Sequence, residues 1–485
     1  MGGLIQTGGR AFRYLKTYGP VRLYRKVKER QMRNRAERGY EEWLKAELPD
    51  EQQDRRQRET QFAFRPLISI LVPTYETPEP YLRQMTESVL DQSYTELELC
   101  IADGSASDQV ERVIREYAAK DDRVRYQRLE KNLGISENTN AALAMAEGTY
   151  VGLLDHDDLL LPGALFEVVR ALNEEGQAEA VYTDEDKLDP DRNIHFQPHF
   201  KPDYNREYLR SNNYICHFFV VKREIALEAG GFHSDFDGAQ DHDFIFRCTE
   251  KAKQVIHIPK VLYSWRCHAS STASNPESKL YAYESGKRAV AAHLERMGET
   301  AEILNTENYG FYRLCYPETP KILIKSFEKF NGQTGVNVVY YDKACNNSVT
   351  FFGKEDYVLF TCVQNAKINK SFWKELFACC ARKDAGMACA RVYTAAGRLR
   401  GEPVMKGVQD PFSSGMEGMK DGYSGYFHRA LLQQELKNPT DCFLIRRELL
   451  GERTVVSIPE LCRELKEKGY RIYYEPWAVM YESRQ

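Results

Sequence analysis

Tyr150-Val-Gly-Leu-Leu-Asp155-His156-Asp157-Asp158 decides how this chain is read. A short apolar run ends in three carboxylates and is followed by Leu159-Leu-Leu-Pro162. Such a run reads as a buried strand, and a proline just beyond it suits the first turn of a helix. The acids then lie at the carboxyl end of a strand, the edge at which α/β sheets bind ligands. In an extended segment Asp155 and Asp157 face the same side. Two convergent carboxylates suit a hard divalent cation, Mn²⁺ or Mg²⁺, bridging to phosphate oxygens. The alternative is a set of helix caps, with Asp158 capping the helix that follows.

Outward from this stretch the chain alternates. Leu67–Val72, Leu97–Ala102 and Val124–Arg128 read as strands. Glu79–Leu90, Val110–Ala119 and Ile135–Ala146 read as helices between them. The βαβα rhythm predicts an α/β fold with a Rossmann-like doubly wound sheet and a nucleotide-type site at its carboxyl edge. Residues 1–65 read as a helical, basic segment. Beyond about residue 320 the pattern recurs: Tyr357-Val-Leu-Phe parallels Tyr150-Val-Gly-Leu, and Gly469–Pro476 parallels Ala252–Pro259. Cys442–Glu448 resembles His217–Glu224 with an offset of one. Aligning Tyr357 with Tyr150 sets Cys362, Val363, Gln364 and Asn365 against Asp155, His156, Asp157 and Asp158, so the copy has lost the acids. Its opening, taken from Lys321-Ile-Leu-Ile, is also shortened. The expected divisions are 1–65, 66–318 and 319–485.

Composition narrows the classes. A net charge of −4 gives no reason to expect nucleic acid as a partner. The cysteines carry no C-x-x-C pair or zinc spacing, which fits a reducing cytoplasm. No run approaches the length of a membrane-spanning helix. Between residues 10 and 38, however, Lys and Arg crowd against only Glu29 and Glu37, interleaved with Tyr14, Leu15, Val21, Tyr24 and Val27. Such a segment can lie on anionic lipid at the inner face of the plasma membrane, or pack as a structural arm.

Ser69–Tyr75, Asp103-Gly-Ser105, Asp155-His-Asp157 and Gly238-Ala-Gln-Asp241-His-Asp243 together resemble the motifs of an inverting family-2 glycosyltransferase of the GT-A fold, of the type found in bacterial cell-surface polysaccharide assembly. The likeness is strong over roughly 66–315, and weaker beyond, where a degenerate GT-A-like domain is expected. It implies a nucleotide-sugar donor held by Pro73, Thr74, Tyr75, Asp103, Asp155 and Arg266. It implies a cation on Asp155 and Asp157 with His268, and Asp241 as the general base. Asp184, Asp186 and Trp265 would face a glycan or lipid-linked acceptor, although Asp184–Pro190 also reads as a solvated turn. A sugar-phosphate nucleotidyltransferase would need a glycine-rich basic loop where Pro73-Thr-Tyr-Glu-Thr-Pro78 stands. A non-catalytic glycan-binding scaffold would not need Asp155, Asp157 and Asp241.

Overall fold

The structure, a computed structural model, describes every residue except 1, 268–279, 318–335, 342–347, 351–355, 364, 402, 413–415, 454 and 484–485. Three helices come first: α1 (Gly2–Ala36), α2 (Tyr40–Glu47) and α3 (Glu51–Glu59). Then follow β1 (Ile68–Thr74), α4 (Glu79–Leu90), β2 (Leu97–Asp103), α5 (Gln109–Ala118), β3 (Val124–Arg128), α6 (Ile135–Met145) and β4 (Tyr150–Leu153). The middle of the chain holds β5 (Leu159–Leu160), α7 (Ala164–Glu174), β6 (Ala180–Asp189), β7 (Ile194–His199), α8 (Arg206–Ser211) and β8 (Phe219–Lys222). After α9 (Arg223–Glu228), α10 (Gln240–Lys251), β9 (Val255–Arg266) and α11 (Leu280–Arg296) comes a hairpin, β10 (Glu302–Asn305) with β11 (Tyr312–Cys315).

The first sheet runs β3-β2-β1-β4-β8-β6-β9-β5, with β7 on β6. All seven residues of β1 are buried, as a strand covered on both faces requires. Alternation sends Ile68, Ile70 and Val72 into one core with Leu82, Met85 and Val89 of α4. Leu71 enters the opposite core with Ala142 of α6 and Phe244 of α10. α4 presents its buried Leu82, Met85, Thr86 and Val89 at helical spacing.

A second sheet repeats the first. Its strands are β12 (Val336–Tyr340), β14 (Tyr357–Thr361), β15 (Ala366–Ile368), β16 (Ala385–Tyr393), β18 (Cys442–Arg446) and β20 (Arg471–Glu482), with β17 (Gln434–Glu435) at one side. A separate small pair joins β13 (Ser348–Thr350) to β19 (Val455–Ser457). The order β12-β14-β18-β16-β20-β15 matches β1-β4-β8-β6-β9-β5 strand for strand, and the parallel and antiparallel senses agree throughout. α12 (Phe372–Cys380) follows β15 as α7 follows β5, and α13 (Ile458–Glu467) precedes β20 as α10 precedes β9. The expected opening at Lys321 lies outside the described residues, and β12 stands in the place of β1. The second sheet has no counterparts of β2 and β3 among the described residues. The fold is therefore α/β, a GT-A-type sheet followed by a reduced copy, with helices in front.

The two sheets are joined through α8. Glu207 accepts from Arg210 at 2.6 Å and from Arg382 at 2.6 and 2.8 Å. Arg206 donates to Asp384 at 2.7 Å, and the Asn205 side-chain amide donates to Glu435 O and accepts from Glu435 N. α2 closes a third contact, burying Tyr40 and Leu44 with Leu161, Phe200 and Val261.

Candidate active site

β8 is antiparallel to β4, with Gly152 opposite Val220. The chain entering β8 therefore arrives where the chain leaving β4 ends. That crossing brings residues 213–217 against residues 155–158. Asp155, Asp158 and His217 offer ligand atoms that all lie within 4.8 Å of one another. His217 Nε2 stands 3.8 Å from Asp155 Oδ2, and its ring stacks on Tyr263 at 4.6 Å.

Burial raises the pKa of Asp155; His217 opposes this, while Asp157 and Asp241 add to it. Carboxylates that push each other toward neutrality in a crevice mark a place where a cation is favoured. Oxygen donors with one imidazole suit Mn²⁺ or Mg²⁺, so the residues present fit the expected ion.

Asp157 is not in that cluster. The segment is a turn rather than an extended strand, closed by Asp158 N–H donating to Asp155 O at 3.2 Å. The same-side argument for Asp155 and Asp157 fails for that reason. Asp158 does not cap α7 either, whose N-cap is Gly163. It is buried and accepts from Tyr263 Oη at 2.5 Å and Arg266 N at 2.8 Å, fastening β9 to the acidic turn.

Asp241 lies in the first turn of α10. Its Oδ2 accepts from Asn213 Nδ2 at 2.8 Å and from Cys216 Sγ at 3.4 Å. Oδ1 carries no hydrogen bond among the described residues. The Asn213 amide is oriented because its Oδ1 accepts from Cys216 N at 3.3 Å. Asp243, two residues on, is buried and paired to Arg247 at 2.7 and 2.8 Å.

Thr74 and Asp103 face each other across parallel β1 and β2. Thr74 Oγ1 and Ser105 N donate to Asp103 Oδ1 at 3.2 and 2.9 Å, and Tyr126 Oη donates to Oδ2 at 2.8 Å. Pro73 is buried in β1 and Tyr75 is exposed beyond it. A Cβ on Gly104 would meet Asn138 Nδ2 at 2.9 Å and Asn132 Cα at 3.1 Å, so this glycine admits α6 and the loop before it. Arg266 is almost fully buried and stacks over Tyr81 at 4.4 Å. Its Nε donates to Asp157 O, while Nη2 has no partner among the described residues. Burial lowers its pKa. Trp265 packs against the core from β9, with Lys187 Nζ of β6 5.5 Å from its ring. His268 lies outside the described residues.

Asp184 and Asp186 depart from the acceptor-facing expectation. They belong to β6, not a turn, and both are buried. Asp184 Oδ1 accepts from Lys201 N at 2.8 Å and pairs with His257 at 2.7 Å. Asp186 accepts from Tyr40 Oη at 2.8 Å and Ser264 Oγ at 2.5 Å. Strand alternation turns Glu185 the other way, toward the site. Its carboxylate accepts from Lys201 Nζ at 3.1 Å and stands 3.3 Å from His217 Nδ1. Asn213, Cys216, His217 and Glu185 were missed because only the antiparallel pairing of β8 with β4 and β6 brings them to the acids. The available signal was a histidine directly ahead of the Phe218–Val221 run.

The copy fills the corresponding position differently. Tyr150 pairs with Lys222 and Tyr357 with Arg446. Counting along these strands sets Cys362 against Asp155 and Asp441 against His217. Arg400 Nε donates to Asp441 Oδ2 at 2.7 Å, and its Nη2 lies 3.8 Å from Cys362 Sγ. A guanidinium thus stands with the counterparts of the acidic cluster.

Residues 69–229 match the sequence profile described as Glycosyl transferase family 2. An uncharacterized protein of Sinorhizobium fredii, y4gI, is 33% identical over 480 residues, covering 86% of this chain and 53% of the relative. The O-antigen biosynthesis protein RfbC of Myxococcus xanthus is 35% identical over 288 residues, covering 59% of this chain and 22% of that protein. The chain thus spans about half the length of the first relative and less of the second. Among solved structures, TarS 1-349 of S. aureus in complex with UDP-GlcNAc is 20% identical with a TM-score of 0.38, covering 47% of this chain and 66% of that one.

Proposed function

We propose, from the match of residues 69–229 to glycosyl transferase family 2, that this chain transfers a sugar, with inversion, from a nucleotide-sugar donor to a glycan or lipid-linked acceptor. The O-antigen relative favours cell-surface polysaccharide biosynthesis as the setting. The enzyme works in the cytoplasm, touching anionic membrane through residues 1–40; no helix among the described residues is long and apolar enough to cross a membrane. Residues 66–318 are the catalytic unit, and 319–485 a copy without the metal acids.

One observation carries the reading: Asp241 has one oxygen held by Asn213 and Cys216 and the other without a hydrogen bond among the described residues, within electrostatic reach of Asp155. That second oxygen takes the proton of the acceptor hydroxyl as that hydroxyl attacks the anomeric carbon. The anomeric bond to the diphosphate breaks on the opposite face, and the nucleoside diphosphate departs with its electron pair. Asp155 and His217, with Asp158 beside them, would hold the divalent cation. When bound, the cation neutralises the leaving diphosphate as a Lewis acid. Arg266 Nη2 donates to a phosphate oxygen. Thr74 and Asp103 hold the nucleoside at the β1–β2 edge, with Pro73 and Tyr75 beside them. Trp265 lines the acceptor side.

The nucleotidyltransferase alternative is disfavoured by the loop after β1, Pro73-Thr-Tyr-Glu-Thr-Pro78, which has no Gly, Lys or Arg to hold a triphosphate. Calorimetry of UDP and GDP with and without Mn²⁺ tests the reading. Binding should require the ion, vanish with chelator, and weaken at least tenfold in Asp155→Asn. Diphosphate binding that ignores both the ion and this substitution refutes the metal assignment.

A further inference from the structure

α1 has two unlike faces beyond its bend at Gly19-Pro20. The inward face is set at steps of three and four. Arg22 pairs with Glu307 at 2.7 Å, the Arg25 guanidinium lies against Gly422, and Glu29 accepts from Ser424 Oγ at 2.9 Å. Residues 22, 25 and 29 therefore fasten the helix to the protein.

The arc beside it is open. Val21, Tyr24 and Val27, at steps of three, are 62%, 59% and 47% exposed, three large apolar side chains within seven positions. Contiguous exposed apolar surface marks an interaction site. Lys28, Arg30 and Arg35 share or flank this arc. The sole acid of the helix, Glu29, is turned inward by Ser424, so the arc presents no carboxylate.

We propose that this arc docks on an anionic lipid surface, with Val21, Tyr24 and Val27 entering the headgroup boundary and Lys28, Arg30 and Arg35 meeting lipid phosphates. The combination decides the partner: apolar side chains need a hydrocarbon boundary, and cations without neighbouring acids need an anionic one. A polyanion such as nucleic acid would use the cations and leave the valines wet. The proposal deepens the membrane contact proposed above. Vesicle binding is read without donor or acceptor, so its failure is separate from any failure of the transfer reading.

The test is co-sedimentation of the full chain with phosphatidylglycerol–phosphatidylcholine vesicles and with phosphatidylcholine alone. Binding should need phosphatidylglycerol and fall as salt rises past the screening range. Lys28→Gln with Arg30→Gln and Arg35→Gln should lower partition by roughly fivefold per charge, about 100-fold in all. Val21→Ser with Tyr24→Ser and Val27→Ser changes no charge, and should lower partition about tenfold or more. A charge-matched control, Lys120→Gln with Lys253→Gln and Lys468→Gln, should bind like the native chain. All nine positions are at least partly exposed, so circular dichroism should report native folding. No binding to the anionic vesicles at low salt, undiminished binding by the serine variant, or equal loss in the control overturns the proposal.

Discussion

Glu207→Gln tests how the two sheets are held together. The side chains of Glu207, Arg210 and Arg382 are 3%, 0% and 8% exposed, so three charges are withdrawn from water around one carboxylate. Burial alone would raise the pKa of Glu207, but Arg382 and Arg210 overcome it and hold the group far below the usual carboxylate range. The substitution keeps the shape and removes the charge. Two arginines are left facing each other, with only Glu299 still accepting from both. Removing one partner of a buried pair costs about 3–5 kcal/mol. For an unfolding slope near 3 kcal/mol per molar urea, the midpoint should fall by roughly 1 M or more.

Tryptophan fluorescence reads the transition from both sides of the junction, with Trp43 and Trp265 before it and Trp373 and Trp477 after it. The pH dependence follows from the sign of the shift. A depressed carboxyl stabilises the fold fully above its unfolded pKa of about 4.3, and this is lost as pH falls toward the folded value. The gap between native and variant chains should therefore be flat from about pH 8 to 6 and narrow below about pH 4. Glu111→Gln removes a partner of Arg115 at a site open to water and should move the midpoint far less, because solvent screens the pair. A loss below about 1 kcal/mol at neutral pH, or a gap that widens in acid, would refute the argument that this network clamps the sheets.

Two further outcomes concern the base. Asp241→Asn should lower transfer by about 10²–10⁴ while leaving diphosphate binding nearly intact; near-native turnover in an initial-rate assay would move the base elsewhere. Asn213→Asp sets a second carboxylate 2.8 Å from the Asp241 oxygen, and like charges oppose ionisation. The acid limb of its kcat/KM profile should shift to higher pH, whereas Asn213→Ala should lower the rate without a comparable shift; superimposable limbs for the Asp variant would show that Asn213 does not act on the base.

What the chain declares without its structure is what local pattern controls. Apolar runs such as Ile68–Val72 and Tyr150–Leu153 can only be covered strands, and helical spacing in Glu79–Leu90 leaves one partner face. The repeat was legible for the same reason, since Tyr357–Thr361 and Arg471–Glu475 must bury the same pattern as Tyr150–Leu153 and Val255–Pro259. Candidate site residues at the ends of parallel strands or just beyond them, Thr74, Asp103 and Asp155, could be proposed from sequence because the carboxyl edge follows from the βα alternation.

Tertiary structure decided what depends on pairing between distant segments. Asp184 and Asp186 looked like ligand-facing acids, but β6 lies between β8 and β9 and turns them into buried partners of His257, Tyr40 and Ser264, leaving Glu185 to face the site. His217 and Asn213 reach Asp155 and Asp241 only because β8 runs antiparallel to β4. Nothing local to Arg400 announces that its guanidinium meets Asp441 and Cys362. Which face of α1 is free likewise depends on Glu307, Gly422 and Ser424, hundreds of residues away. Burial and strand phase are written locally, whereas the identity of a side chain's neighbour is set by the crossing of strands that the sequence keeps far apart.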